Sequence, residues 1–308
     1  MKLLIEIPTW LGDAIMATPA IENLLKHYQN AEVTIVGSYL STQLFINDKR
    51  ISNIFVDNTK KSFLRFLSVY QLAKKAKNID LAISFRSSFY SKFLLKSLNC
   101  KESYNFEKGI ESKHQVLKYN DFINNILNTN YRASDLMLRF KPNWYKKPTL
   151  GLNPGATYGS AKRWYPEEFA KVASQLAYKY NIIIFGGPNE VEMANDIEKF
   201  LIENDVSNYE NLAGKTTIPE LVEKIAALDL FITNDSGPMH IAAVYKVNTI
   251  AIFGPTNFLE TNQWKNPLET IVSKYLECSP CMKKTCPLKH HDCMKTITAE
   301  DVLELINN

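Results

Sequence analysis

The 308-residue chain contains no stretch approaching 18 consecutive apolar residues, so no membrane-spanning helix is expected. Its opening residues, MKLLIEIPTWLGD, put Glu6, Pro8 and Asp13 where a secretory leader needs an apolar run. The expectation is a cytoplasmic, unprocessed protein. No G-x-G-x-x-G is present, which removes the dinucleotide fingerprint. No G-x-S-x-G elbow surrounds a serine, which argues against a Ser-His-Asp hydrolase. RNA-binding aromatic motifs and a helix-turn-helix are also missing, so no nucleic-acid partner is expected. Short-period repeats and low-complexity tracts are absent. What remains is an ordinary globular composition, 45% hydrophobic and 22% charged, which excludes a disordered or fibrous chain.

The charge is uneven. Residues 1–147 hold 22 Lys/Arg against 12 Asp/Glu, whereas residues 148–308 hold 14 against 20. A basic first half suggests an anionic partner; a solvated, lysine-rich surface is the plainer alternative. Apolar runs at 3–7, 33–36, 54–56 and 81–85 read as strands, with helical periods at 13–28, 63–76, 87–98 and 115–127. Pro142, Lys146, Lys147 and Pro148 interrupt the pattern, which then restarts. Strands at 150–153, 182–185, 230–233 and 249–253 alternate with helices at 166–180, 191–203, 218–228 and 239–245. Strands alternating with helices of 10–15 residues mean βαβ units and parallel sheets. The fold class is α/β, with domains at 1–147 and 148–308, and ligands expected at the carboxyl ends of the strands.

Five segments carry candidate chemistry. Pro8-Thr9-Trp10-Leu11-Gly12-Asp13 links the first strand to the first helix. Gly12 lets backbone approach a ligand, and Asp13 is either a helix cap or a general base. Asn153 to Trp164 is rich in small residues and hydroxyls but does not end in G-K-[ST]; Thr157 and Lys162 suit a phosphate, against a polar loop with a surface lysine. In Thr233 to His240, Ser236 and Gly237 offer N–H groups at a helix start. There Asp235 can accept sugar hydroxyls, while a helix cap and a core histidine at His240 are the alternatives. Glu190, after Gly186-Gly187, can grip hydroxyls or simply favour the helix dipole. Cys278, Cys281, Cys286 and Cys293 lie within sixteen residues. They are a candidate structural zinc site or reduced thiols that pack; Cys100 stands alone as a core residue.

Taken in order, TWLGDAIMATPA, NPGATYGSAKRWYPEEFA, FGGPNE, TNDSGPMHIAA, FGPT and the tail CSPCMKKTCPLKHHDCM resemble the lipopolysaccharide heptosyltransferases, glycosyltransferase family 9. The resemblance covers nearly the whole chain. It implies a GT-B architecture, two Rossmann-like domains whose parallel sheets face a central cleft. The first domain would bind the acceptor and the second ADP-heptose, and the last helix, about 299–306, would pack back on the first domain. It implies inverting transfer of heptose to the heptose of the lipopolysaccharide inner core, or a family relative with another donor or acceptor. Asp13 would be the base. Thr157, Lys162, Glu190, Asp235, Ser236, Gly237 and His240 would bind the donor; no catalytic cofactor is implied. Trp10, Gly12, Arg86 and Ser87 are candidate acceptor contacts. The acceptor would be an anionic lipid A–Kdo–heptose, with Lys60-Lys61…Arg65 and Lys74-Lys75…Lys77 holding the enzyme peripherally on the cytoplasmic face of the inner membrane.

Overall fold

The computed structural model describes residues 1–109 and 111–307, in two compact units, Met1–Arg139 and Phe140–Asn308. In unit 1, strands β1 (Lys2–Glu6), β2 (Glu32–Gly37), β3 (Ile51–Val56), β4 (Leu81–Ser84) and β5 (Glu102–Asn105) form one sheet in the order β3-β2-β1-β4-β5. Every pair is parallel. Leu3, Leu4 and Ile5 are wholly buried, as a parallel strand covered on both faces requires. The helices are α1 (Leu11–Met16), α2 (Thr18–His27), α3 (Tyr39–Thr42), α4 (Arg65–Lys75), α5 (Phe89–Ser97) and α6 (Gln115–Leu127).

The single helix expected over 13–28 is two, and the reason is local. Pro19 has no N–H for the carbonyl of Ile15. The Thr18 hydroxyl donates to that carbonyl instead, at 2.7 Å.

Unit 2 holds β6 (Thr149–Asn153), β7 (Asn181–Ile184), β8 (Tyr209–Asn211), β9 (Leu230–Asn234), β10 (Thr249–Phe253) and β11 (Glu269–Ser273). The order is β11-β10-β9-β6-β7-β8, again parallel throughout. Its helices are α7 (Pro166–Leu176), α8 (Val191–Glu203), α9 (Ile218–Ile225), α10 (Gly237–Val244), α11 (Phe258–Thr261), α12 (Asp292–Lys295) and α13 (Ala299–Asn307). Trp164 anchors the core: it is wholly buried, and its indole donates to the carbonyl of Ile297 at 2.8 Å.

Within unit 2, Ala299 and Val302 of the last helix are buried in the same apolar cluster as Trp164, Phe169 and Val172. The three strands that the sequence reading missed, β5, β8 and β11, are partly polar and lie at sheet edges.

Each sheet has one place where strand order reverses, between β1 and β4 in unit 1 and between β6 and β9 in unit 2. Loops leaving the two strands there diverge to opposite faces, which opens a crevice at the carboxyl ends. The loops carrying Asp13, Arg86, Lys162 and Asp235 leave from these four strands.

On β11, burial pushes the carboxyl of Glu269 up to about 7, although the N–H of Gln263 donates to it at 2.7 Å. A raised folded-state value favours the protonated form, so this group stabilises the fold at low pH and opposes it as pH rises through 7. Glu269→Gln should therefore stabilise unit 2 by roughly 1–2 kcal/mol at pH 8, solvent screening included. In urea melts that gain should shrink toward zero by about pH 4.5; a gain equal at both pH values contradicts the assignment.

Candidate active site

In unit 1, β1 runs through Ile7 into the loop that opens α1. Trp10 occupies the cap position with extended backbone and no side-chain cap bond. Asp13 is therefore in the first turn of α1, half-buried, and is not the cap. Its carboxylate lies near the phenol of Tyr119. Burial raises the Tyr119 pKa well above its ordinary value, and the charge of Asp13 adds to the rise. Gly12 is the second residue of α1, in helical backbone. Behind this loop, Gly37 allows a close approach, since a Cβ there would meet Ile7 at 2.6 Å.

Arg86, a candidate acceptor contact, is turned inward. Its Nε donates to the carbonyl of Ile7 at 2.7 Å, and its Nη1 donates to Glu6 and Asp57 at 3.1 and 2.8 Å. Burial pushes the Glu6 carboxyl up, opposed by Arg86 and Ser84. Burial also pushes Asp57 up, but bonds from Thr59 and Arg86 outweigh it and hold that carboxyl below its usual range. Arg86 thus braces the segment that leads to Asp13. Ser87 is exposed, and Ser88 caps α5 by accepting from the N–H of Ser91.

In unit 2, the loops after β6, β9 and β10 converge on one ion pair. Lys162 Nζ meets Asp235 Oδ2 at 2.5 Å, with both side chains nearly buried at 12% and 5% exposure. The hydroxyl of Thr256 donates to the same carboxylate oxygen at 2.6 Å. Lys162 also lies over the ring of Tyr158 at 4.8 Å. Two buried asparagines stitch the loops: Asn153 Nδ2 donates to Ser236 Oγ at 3.0 Å, and Asn234 Nδ2 donates to the carbonyl of Pro154 at 2.6 Å.

Ser236 is the cap of α10 and Gly237 its first residue, followed by Pro238, which has no N–H; a helix start leaves its remaining first-turn N–H groups without intrahelical partners. His240 is buried on that helix, and Thr157 is exposed in the β6 loop. Glu190 folds back on its own turn and accepts from the N–H of Gly187 at 2.7 Å. Its carboxylate presses on Gly155, where a Cβ would come within 2.1 Å of it.

The sequence reading missed Thr256, Asn153 and Asn234 as site residues. All three stand inside quoted motifs, but nothing in their type distinguishes them from neighbouring polar residues.

The zinc expectation is corrected. Among the described residues no group of three or more His, Cys, Asp or Glu is arranged to hold a metal ion, and Cys278, Cys281, Cys286 and Cys293 are free thiols. Burial of Cys293 pushes its thiol up to about 11, and the neighbouring thiols add to the rise.

The segment around these cysteines is instead bound to the site loops by hydrogen bonds. The carbonyl of Lys284 accepts from the N–H of Ala161 at 3.0 Å, and Tyr158 Oη donates to the carbonyl of Met282 at 2.9 Å. The N–H of Met282 reaches the carbonyl of Pro255 at 2.8 Å. The approach is close enough that a Cβ on Gly159 would meet the Lys284 carbonyl oxygen at 2.2 Å.

The model of glycosyltransferase family 9 (heptosyltransferase) matches residues 127–291, and a curated relative matches end to end. Lipooligosaccharide heptosyltransferase 2 of Campylobacter jejuni subsp. jejuni serotype O:2 is 46% identical, over 100% of this chain and 98% of its own. The chain belongs to glycosyltransferase family 9. The family member of the same printed name from Haemophilus ducreyi is 28% identical over 83% of this chain and 84% of its own. Among solved structures, E. coli ADP-heptose lps heptosyltransferase II superposes with a TM-score of 0.79 at 22% identity, covering 100% of this chain and 98% of that one. A glycosyl transferase family 9 protein of Veillonella parvula gives 0.80 at 19% identity, covering 98% and 95%. The two parallel sheets with flanking helices are the two Rossmann-like domains of the GT-B fold.

For this family 9 chain, Thr256→Val removes a donor from a buried carboxylate and should cost about 1–3 kcal/mol. Asp235→Asn leaves the buried Lys162 charge uncompensated and should cost about 3–5 kcal/mol. Urea unfolding at pH 7 measures both; a neutral effect for the two variants would mean that the pair does not hold the loops.

Proposed function

We propose that the chain is an inverting glycosyltransferase that moves L-glycero-D-manno-heptose from ADP-heptose to the heptose of the lipopolysaccharide inner core, the reaction of a heptosyltransferase II. The observation that carries the reading is the end-to-end match to the Campylobacter relative, 46% identical and named for that activity. The site chemistry agrees with it. A hydroxyl of the acceptor loses its proton to the Asp13 carboxylate as its oxygen attacks the anomeric carbon. The bond from that carbon to the ADP phosphate breaks, and ADP leaves with the electron pair. One displacement inverts the centre and needs no second carboxylate as nucleophile.

The negative charge that builds on the diphosphate needs fixed donors. Lys162, held by Asp235, and the N–H groups at the start of α10 supply them; Thr157 and Glu190 are proposed to contact the remainder of the donor, and His240 to support α10 from within. Arg86 acts from beneath the acceptor side, through Ile7, while Trp10, Gly12 and Ser87 border the acceptor.

Among the described residues no helix is long and apolar enough to cross a membrane. A lipid-borne acceptor calls for peripheral attachment, on the cytoplasmic face of the inner membrane in this reading.

The test is transfer from ADP-heptose to a truncated core acceptor, with UDP-sugars as the comparison. Turnover is expected with ADP-heptose only. Asp13→Asn should lower kcat about 10²–10⁴-fold. Near-wild-type turnover by Asp13→Asn would remove the base, and turnover of UDP-sugars alone would remove the donor.

A further inference from the structure

Unit 1 leaves large apolar side chains uncovered where its strands end. Phe63 is fully exposed, Leu64 is 60% exposed, Phe66 and Leu67 are each 50% exposed and Phe89 is 66% exposed. Phe63 and Leu64 follow β3, beyond a turn that Asp57 fixes by accepting from the N–H and hydroxyl of Thr59. Phe66 and Leu67 continue into α4, and Phe89 opens α5 after β4, its ring 5.9 Å from that of Phe66. Trp10, 53% exposed, follows β1. These strands belong to one parallel sheet, so the exposed side chains share its carboxyl edge with Asp13.

The core does not need them. Helix α4 already buries Val69, Leu72 and Ala73 against the sheet. One apolar stripe satisfies a surface helix, so the second set is surplus to folding and marks an interaction surface.

The charge around the patch is of one sign. Residues 58–79 hold six Lys/Arg and no Asp/Glu. The Arg65 guanidinium is folded onto the ring of Tyr90, 3.6 Å from its centroid. Lys60 and Lys61, beside Phe63, are exposed, and neither is in an ion pair among the described residues; Lys74, Lys75 and Lys77 are exposed at the far end of α4, where the chain returns to the amino edge of the sheet. Protruding apolar side chains bordered by unpaired cations match the boundary between headgroups and acyl chains in an anionic bilayer. A second copy of the chain fits poorly, because it would set lysines against lysines.

We infer that this edge of unit 1 docks on an anionic lipid bilayer, with Phe63, Leu64, Phe66 and Phe89 entering the interface and Lys60 and Lys61 on the headgroups. The inference rests on the reading of the acceptor as lipid-borne, and it adds that insertion of aromatic side chains, as well as charge, sets the acceptor edge against the membrane.

The experiment is co-sedimentation of the full chain with phosphatidylcholine vesicles, with and without phosphatidylglycerol and with no sugar substrate. Binding is expected only with the anionic lipid. Phe63→Ser/Leu64→Ser should weaken it about tenfold, and Lys60→Gln/Lys61→Gln about fivefold per lysine removed. All four side chains are exposed, so melting temperatures should match wild type. Equal binding to both vesicle types overturns the inference, as does binding that neither variant changes. A dimer that the Phe63→Ser/Leu64→Ser variant dissociates, without vesicle binding, assigns the patch to a second copy and also overturns it. ADP-heptose turnover measured on the same samples separates the two claims: vesicle binding without turnover removes the transfer reading alone, and turnover without vesicle binding removes the docking alone.

Discussion

The chemistry of unit 2 depends on one buried ion pair. Removing the charges of Lys162 and Asp235 from water is costly, and two partners rarely compensate for it fully. Here a third group, the hydroxyl of Thr256, takes up more of the carboxylate. The result ties loops from three adjacent strands, β6, β9 and β10, to a single point. An ammonium has three N–H donors, and the Asp235 contacts do not use them all, so the pair that orders the loops also leaves a donor for the diphosphate proposed above. A free surface lysine would have to be ordered at each binding event, at a cost in side-chain entropy. The pairing removes that cost in advance.

Unit 1 repeats the device with different residues. Arg86 among Glu6 and Asp57 is a cation held by carboxylates beneath the carboxyl ends of β1, β3 and β4. In both units the charge lies behind the loop rather than at its tip. The cysteine-rich segment extends the same logic: its backbone carbonyls grip the Gly159–Lys162 turn, and Gly159 is what lets them come so close. Hydrogen bonds to neighbouring loops hold this segment, which carries four free thiols.

Much of this was legible in the sequence. The buried strands of both sheets are near-continuous runs of Leu, Ile and Val, and that pattern exposed β1, β4, β6, β7, β9 and β10. The edge strand β3 was read from its apolar run at 54–56, but β5, β8 and β11 were missed because polar residues interrupt them, as in Tyr209-Glu210-Asn211. The break between α1 and α2 went unread, because a proline near a helix start is common and here its effect depends on the Thr18 hydroxyl donating to the carbonyl of Ile15. The motifs located the loops but not their internal partners. Lys162 and Asp235 were each assigned to the ligand from type and position, whereas their contact with each other spans 73 residues and follows only from the order β9-β6 in the sheet. Arg86 likewise was read only as a candidate acceptor contact or part of a helix cap, and its partners, Glu6 and Asp57, are far away in the chain.

The central claim is that the Lys162–Asp235 pair forms the floor of a diphosphate site. Calorimetric titration of ADP into wild type and into Lys162→Met at several salt concentrations tests it most directly. Loss of a charge-assisted contact to phosphate, about 1.5–3 kcal/mol, predicts that Kd rises by about tenfold or more, with a weaker salt dependence than wild type. An unchanged Kd in a variant that remains folded would show that the ammonium serves the loops alone, and would contradict the account.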